Sequence, residues 1–482
     1  MKKYFYSLVF LLSFGMINAQ EKLPKIEIQA NKTLALVQYV NTISSPRKSI
    51  LKNHFEKSKF NTKSVQKLLA TYKKLPLRES IKYQGYPETR RSRKGTDEIF
   101  TVMAANSDDL EELKKHSVSL FPLRDHQKLF DILKTIEPIY DQLFWKKNLP
   151  VIQQKITELK AYAEKHNLNK LYNAMTKFYN SSWESDLPLI ISVIPYPEKT
   201  GFTATPQGNI IVSGLPLDMD YFEVYFGVML HEIAHILYAE QEKSFQFELE
   251  KWFLNSPSKY KTFAYNWINE TLATAVGNGW VYEKLKGELD PLDWYNDIYI
   301  NTFSKAIYPM VKDYLERNKK IDEDFINKAI LAYKKVLADK TYAYDNLITY
   351  TEMMLNKESK DGALEGKVMD GVFSNFRTRS YGLHTPFPCG DKLESFLKNI
   401  KTQVVGVVEN NQAELESLEI TFPFLKKYTL NTNRNFVLTH IKENGQVFIL
   451  INVLNENEFS KVFSLLKQQK TVSLNKENLI YF

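Results

Sequence analysis

The sequence predicts a helix-rich α+β protein with three regions in chain order. Helices are indicated because apolar residues recur every three to four positions over long stretches, most clearly in residues 108–179. Strands are indicated by short β-branched runs, which become frequent only after about residue 187 and appear again near the C-terminus. We therefore expect a mainly helical region at residues 20–186, a mixed central region at 187–400 and a small α+β region at 401–482.

Composition places the chain among ordinary globular proteins. Of its 482 residues, 44% are hydrophobic and 25% are charged, and it has 17 glycines and 18 prolines. These values exclude a collagen-like protein, a disordered tail and a polytopic membrane protein. The formal net charge of +8 is spread along the chain, and its one dense basic run contains Arg90, Arg91, Arg93 and Lys94. A run this short is typical of a solvated loop, so no nucleic-acid partner is expected.

Residues 1–19 have the pattern of a secretory signal peptide. Two lysines precede a mostly apolar stretch at residues 4–17, and Ala19 follows, where we expect cleavage. The apolar stretch is too short to cross a bilayer comfortably, so no membrane span is expected after cleavage. Cys389 is the only cysteine in the sequence, which excludes an intramolecular disulfide. Export without disulfides is typical of a bacterial protein, and we expect a secreted or periplasmic location.

The predicted elements follow in order along the chain. Alternating residues predict a short strand at 25–29, and helical periodicity then covers residues 33–43, 64–75 and 108–179. A β-branched run predicts a strand at residues 188–194, and turn residues within residues 202–213 predict a hairpin. Helices are then expected at residues 221–241, 259–284, 293–318, 322–337 and 344–355. The last strands are expected at residues 404–408, 436–440 and 447–452.

The first of the two long central helices contains a His-Glu-x-x-His pattern, formed by His231, Glu232 and His235. Residues four apart lie on one face of a helix, so both imidazoles can bind the same metal ion. Glu232 lies beside the first ligand and can accept a proton from a water molecule. Gly227, one turn earlier, permits close approach of a neighbouring element. The alternative is a structural role, in which both histidines bond to backbone and water in a core helix.

The second long helix contains an Asn-Glu-x-x-Ala pattern that begins at Asn269 and Glu270. Together the two motifs resemble the gluzincin class of zinc metallopeptidases, which includes the thermolysin-like family and a family of aminopeptidases. The resemblance covers about residues 187–280 and implies a zincin-like core of a hairpin or sheet, an active-site helix and a glutamate helix. It also implies that Zn²⁺ is held by the two histidines of the first motif and by Glu270, with Glu232 as general base. The layout is also similar to that of poorly described exported bacterial proteins.

The spacing between the motifs differs from that of these families. Thirty-four residues lie between His235 and Glu270, more than the families have, and an inserted loop at residues 242–258 would explain the difference. Four glutamates lie closer to the histidines in the sequence and compete for the third ligand position: Glu240, Glu242, Glu248 and Glu250. The alternative for Glu270 is an ordinary carboxylate on a solvated helix face. Its neighbours in the sequence are apolar, which disfavours that alternative, so Glu270 is the expected third ligand.

The resemblance also implies a hydrogen-bond donor for the negative charge that develops on the carbonyl oxygen during amide hydrolysis. In gluzincins a tyrosine or histidine well beyond the third ligand has this role, which makes Tyr381 and His384 the candidates. Both belong to residues 377–390, a segment rich in hydrogen-bond donors, and the alternative for both is a surface turn. The hairpin at residues 202–213 would correspond to the edge strand that binds an extended peptide, or it is an ordinary core hairpin.

Together these patterns predict a secreted or periplasmic zinc metallopeptidase that hydrolyses peptide or protein substrates. The other hypothesis is a non-catalytic binding or scaffold protein of the cell envelope, in which the His-Glu-x-x-His site is structural or degenerate. A metal site with one open position and with Glu232 facing it would favour the enzyme.

Overall fold

The computed structural model describes residues 25–87, 90, 93–196, 201–359, 361–387 and 391–482. The predicted signal peptide at residues 1–19 and the single cysteine lie outside the described residues. The fold class is confirmed, since the protein is a helix-rich α+β structure with 56% helix and 16% strand. Within the described residues, no helix has the length and apolar character that a membrane span requires.

The N-terminal part is mainly helical, as the periodicity predicts. After strand β1 (Ile26–Gln29) come α1 (Lys32–Ser44), α2 (Ile50–Glu56), α3 (Lys63–Tyr72), β2 (Ser80–Lys82), β3 (Arg93–Gly95), α4 (Thr96–Ala105), α5 (Leu110–His116), α6 (Leu123–Tyr140), the π-helical segment Asp141–Trp145, α7 (Lys146–Lys165) and α8 (Leu168–Tyr179). Several of these helices begin where a side chain accepts a backbone N–H, at Asn31, Ser49, Thr62 and Asp109. The continuous pattern at residues 108–179 therefore forms several consecutive helices rather than one.

A four-stranded sheet separates two hydrophobic cores. Its strands are β1, β4 (Leu189–Tyr196), β5 (Thr203–Gln207) and β6 (Ile210–Pro216), in the order β1-β4-β6-β5. The β5–β6 hairpin is antiparallel, as predicted, and the other two pairs are parallel. Along β4, Ile190 and Ile194 contact the core of the N-terminal helices, while Ile191 and Val193 contact the larger core. Both faces are buried, which explains why β4 is apolar at nearly every position instead of alternating.

The central helices pack on the other face of this sheet. They are α9 (Phe222–Ala239), α10 (Lys243–Asn255), α11 (Lys261–Thr274), the π-helical segment Ala275–Val281, α12 (Tyr282–Lys286), α13 (Ile298–Glu316), α14 (Glu323–Leu337), the 3₁₀ segment Ala338–Lys340 and α15 (Tyr344–Leu347). The insertion at residues 242–258, expected as a loop, forms helix α10. Its Phe245, Leu249 and Phe253 recur every four residues and are buried, so the insertion adds to the core.

The C-terminal sheet is larger than the sequence predicts. Its elements are β7 (Tyr350–Leu355), α16 (Ala363–Asn375), β8 (Ser380–His384), α17 (Asp391–Lys398), β9 (Thr402–Val408), α18 (Asn411–Thr421), the 3₁₀ segment Pro423–Lys427, β10 (Phe436–Ile441), β11 (Val447–Val453), the 3₁₀ segment Glu456–Glu458, α19 (Phe459–Gln469) and β12 (Asn478–Tyr481). The strand order is β12-β10-β11-β9-β7-β8. The helix expected at residues 344–355 is wrong in its second half, because β7 is buried between two parallel neighbours.

The predicted region boundaries stay predictions, but two sheets cross them. Strand β1 belongs to the first predicted region and pairs with β4 of the second. Strands β7 and β8 belong to the second predicted region and form one sheet with β9, β10 and β11 of the third. Sheet pairing therefore ties the three regions together.

Candidate metal centre

Helix α9 carries the two histidines and lies inside the larger core. Phe226, Met229, Leu230 and Ile233 are fully buried on this helix, which fixes its position by packing. His231 has only 5% of its surface exposed, and His235 lies one turn later on the same face. The two imidazoles are therefore presented from a rigid element rather than from a loop.

Two glycines let the glutamate-bearing elements approach α9 directly. A Cβ atom at Gly277 would lie 2.5 Å from the carbonyl oxygen of Gly227 and 2.6 Å from the backbone nitrogen of His231. Only glycine fits there, so the π-helical segment and α9 contact each other backbone to backbone. The expectation that Gly227 permits close approach of a neighbour is confirmed. Because the π-helical segment continues α11, this contact also brings Glu270 to the histidines.

The structure brings His231, His235 and Glu270 together. The Nε2 atoms of the two histidines are 3.1 Å apart. Oε2 of Glu270 lies 3.9 Å from Nε2 of His231 and 3.7 Å from Nε2 of His235. All three ligand atoms lie within 4.8 Å of one another, and they form the one such group among the described residues. The four competing glutamates of α9–α10 are not part of it.

Asparagine side chains orient both imidazoles. Nδ1 of His231 donates to Oδ1 of Asn278 at 3.0 Å, and Nδ1 of His235 donates to Oδ1 of Asn269 at 3.1 Å. Because the proton of each ring is on Nδ1, each Nε2 has a free lone pair. This is the arrangement found around metal-bound histidines, where the second nitrogen is held by a neighbouring acceptor.

Three observations show that these residues fit a metal ion. The two Nε2 atoms face each other at 3.1 Å, where their lone pairs repel unless a metal ion or a shared proton lies between them. Oε2 of Glu270 is buried and has no hydrogen-bond partner, while its Oε1 forms an ion pair with Arg379 at 3.0 Å. Burial, and then the neighbouring His235, hold the pKa of His231 well below its ordinary value, so this ring is neutral, as ligation requires.

Glu232 lines the same cavity as the three ligand residues. The cavity has a volume of about 340 Å³ and its wall includes Glu232, His231, His235 and Glu270. Burial, with a contribution from the charge of Glu270, raises the pKa of Glu232 to about 8. No described residue forms a hydrogen bond or ion pair with the Glu232 carboxylate, which is therefore open to the cavity.

Two further side chains at this site were missed in the sequence. The ring of Tyr295 stacks on His231 with 6.0 Å between centroids, and its hydroxyl accepts a hydrogen bond from Arg379 at 3.4 Å. Burial, with the charge of Glu270, raises the pKa of Tyr295, which keeps the phenol protonated. The sequence did contain a signal for Arg379, because it belongs to the donor-rich segment at residues 377–390. Tyr295 lies in a loop without a motif, so no sequence signal indicated it.

Tyr381 and His384 lie on strand β8, beside a neighbouring cavity of about 590 Å³. Nε2 of His384 donates to Oε1 of the buried Glu352, and the ring of the half-exposed Tyr381 contacts Phe373. Neither side chain is among the residues that line the metal-site cavity. Their assignment to the developing oxyanion stays a prediction.

The hairpin reaches the candidate site from the other side. Strand β5 pairs only with β6, so its second edge has no strand neighbour within the described sheet. Pro206 at the end of β5 and Gly208 in the turn both line the metal-site cavity. A strand edge without a strand neighbour, beside the cavity, is suited to hold an extended chain by backbone hydrogen bonds.

Comparisons with known proteins leave the site to be judged on its geometry. No protein-family model matches the chain, and neither the curated proteins nor the solved structures gave a match. The likeness to the gluzincin class thus rests on the two sequence motifs and on the triad of His231, His235 and Glu270. The structure shows a buried group of two histidines and a glutamate that could hold a metal ion.

Proposed function

We propose that the protein is an exported, zinc-dependent peptidase of the gluzincin type. The observation that carries this proposal is the buried His231–His235–Glu270 group with the unpaired Glu232 carboxylate in the same cavity. Two imidazoles and one carboxylate are the ligands of many catalytic zinc sites, which keep a fourth position open. The signal-peptide pattern predicted at residues 1–19 supports export of the chain.

The residues around the site have complementary chemical roles. When bound, zinc would lower the pKa of water and polarise the carbonyl group of the substrate. Glu232 accepts the proton of the attacking water and then delivers it to the nitrogen of the leaving amine. Tyr295 donates a hydrogen bond to the carbonyl oxygen as negative charge develops there. Tyr381 and His384 are second candidates for that donor.

Two residues support the metal ligands, one at Glu270 and the other at His235. Arg379 holds Oε1 of Glu270, which leaves Oε2 directed at the histidines. Asn269 stands next to Glu270 in the chain and orients His235, so one turn of α11 supplies both a ligand and the support of another ligand. Supporting contacts of this kind are needed for metal affinity as well as for orientation.

The environment of Glu232 favours the enzyme over the binding or scaffold protein. A purely structural His-Glu-x-x-His site would be expected to pair a half-buried carboxylate with a donor. Here the carboxylate has no described partner and lines a cavity large enough for a water molecule and part of a substrate. Perturbed, unpaired carboxylates in clefts are typical of general bases.

Elemental analysis and a cleavage assay test this proposal together. We expect the purified protein to contain one zinc per chain and to cleave casein or a mixed peptide pool. Glu270→Ala should lose the metal, because two imidazoles alone bind zinc weakly. The matched control is Glu248→Ala on α10, whose exposed side chain lies outside the triad and should leave zinc and cleavage unchanged. Stoichiometric zinc without cleavage of any peptide would favour the binding protein, and iron in place of zinc would contradict the metal assignment.

A further inference from the structure

A second cavity lies beside the metal-site cavity, and four cationic side chains and one carboxylate are the charged groups in its wall. Its wall includes the positively charged Lys82, Arg90, Arg93 and Lys401, together with His384 and one carboxylate, Glu352. Arg90 also lines the metal-site cavity, so the two cavities are neighbours. Two residues of the basic run that the sequence analysis assigned to a solvated loop, Arg90 and Arg93, therefore line a cavity of about 590 Å³.

The single carboxylate in this wall is already neutralised. Oε2 of Glu352 forms an ion pair with Lys401 at 3.2 Å, and Oε1 accepts a hydrogen bond from His384. Lys82, Arg90 and Arg93 form no ion pair with a described carboxylate. The cavity therefore has an excess of positive charge that the described side chains do not balance.

Two of these cations face each other across a strand pair. In the antiparallel β2–β3 ribbon, Lys82 is the register partner of Arg93, and the next pair is Ile81 with Lys94. Like charges directly opposite each other destabilise an antiparallel pair. Lys94 lines the metal-site cavity, so the ribbon presents cations to both cavities. A bound anion would remove the repulsion between Lys82 and Arg93.

Arg90 adds a buried positive charge where the cavities meet. Only 5% of its surface is exposed, and its guanidinium lies 3.5 Å from the centroid of the Tyr238 ring. It donates to the carbonyl oxygen of Tyr238 at 2.6 Å and to the side chains of Gln241 and Gln246, which are all neutral acceptors. A buried cation held by neutral groups projects its charge into the adjoining space, because the protein interior screens it weakly.

We propose that this cavity binds the carboxylates of an acidic peptide segment. Carboxylates are the matching ligands because Lys82 and Arg93 offer exposed cationic donors, while Ser380 and Tyr381 add neutral donors to the same wall. Since the cavity adjoins the metal site, the proposed peptidase would prefer substrates with Asp or Glu residues near the cleaved bond. This preference rests on the proposed function, whereas binding of the acidic segment does not.

Binding is measured with two fluorescent peptides of equal length and related sequence. One contains Asp and Glu residues, and the other has Asn and Gln at the same positions. The protein is the full mature chain with Glu232→Gln, so that the probes stay intact during an anisotropy titration. We expect the acidic peptide to bind about tenfold more tightly than the neutral one, because only the acidic peptide can form a few partly screened charge pairs with the cavity.

A double variant locates the effect. Lys82→Gln with Arg93→Gln should remove the preference for the acidic peptide and should not lower the melting temperature, because it relieves a like-charge contact. The matched control is Lys67→Gln with Lys74→Gln, two exposed lysines in α3 and in the turn after it. It changes the net charge equally and should keep the preference. Retention of the preference in the Lys82/Arg93 variant would overturn the proposal.

The remaining outcomes separate this proposal from the proposed function. Equal affinity for both peptides overturns the carboxylate site, and so does displacement by inorganic phosphate that is as effective as displacement by unlabelled acidic peptide. If the acidic peptide binds selectively but wild-type protein cleaves no peptide, the binding site stands and the peptidase function fails. If peptides are cleaved without any preference for nearby Asp or Glu, the peptidase function stands and the acidic-substrate site fails.

Discussion

Alanine in place of Gly277 is expected to separate the two elements that carry the metal ligands. A Cβ atom there would lie 2.5 Å from the oxygen of Gly227 and within 2.6–2.7 Å of the backbone of His231, whereas ordinary contact begins at 3.4 Å. The π-helical segment and α9 must therefore move apart by about 0.9 Å. Both neighbours are backbone atoms of a buried helix, so rotation of a side chain cannot relieve the clash.

The displacement should lower both stability and zinc affinity. Overpacking of this kind costs about 1–3 kcal/mol of folding free energy. Zinc–ligand bonds are only about 2.0–2.2 Å long, so a shift of this size moves Glu270 too far away to bind the same zinc ion as the histidines. The same shift breaks the hydrogen bond between Asn278 and His231. We expect zinc affinity to fall at least ~10-fold, the scale seen when groups that support metal ligands are lost.

The assay is urea unfolding of the metal-free protein together with chelator competition for zinc. Gly366→Ala in α16 is the matched control, because no atom lies within 4 Å of its added Cβ and its helix contributes no residue to the metal-site cavity. The control should gain about 0.5–1 kcal/mol, as expected when alanine replaces glycine in a helix. Wild-type stability and zinc affinity in Gly277→Ala would refute the view that this glycine contact holds the ligands together.

Three further outcomes are expected. Glu232→Gln should keep zinc while hydrolysis falls at least ~10²-fold, and equal loss of both would show a structural role for Glu232. Tyr295→Phe should lower kcat by about 10²-fold or more with zinc content unchanged. If instead Tyr381→Phe or His384→Ala has that effect, the donor lies on β8. Burial acts to raise the pKa of Glu352, but its ion pairs hold it below the ordinary value. The contribution of Glu352 to the folding free energy is therefore complete above the ordinary glutamate pKa and is lost as the pH falls through the lowered value. Glu352→Gln should flatten this part of a plot of melting temperature against pH.

The sequence predicted the histidine pair because that pair is a local feature. His231 and His235 lie four residues apart on an apolar helix, and helix geometry alone places both imidazoles on one face. The same local reasoning identified the β5–β6 hairpin from its turn residues and the helical N-terminal part from its periodicity. It failed at residues 350–355, since a six-residue segment is too short for its periodicity to separate a buried strand from a helix.

Only the tertiary structure decided which groups complete the site. Thirty-four residues lie between His235 and Glu270, and α10 fills this interval, so the approach of the glutamate depends on the packing of Gly277 against α9. Tyr295 lies in a loop and Arg379 directly precedes strand β8 of another sheet, and no spacing rule connects either residue to the histidines. Contacts between distant segments depend on how whole elements pack, and a sequence pattern records only the faces that each element must bury.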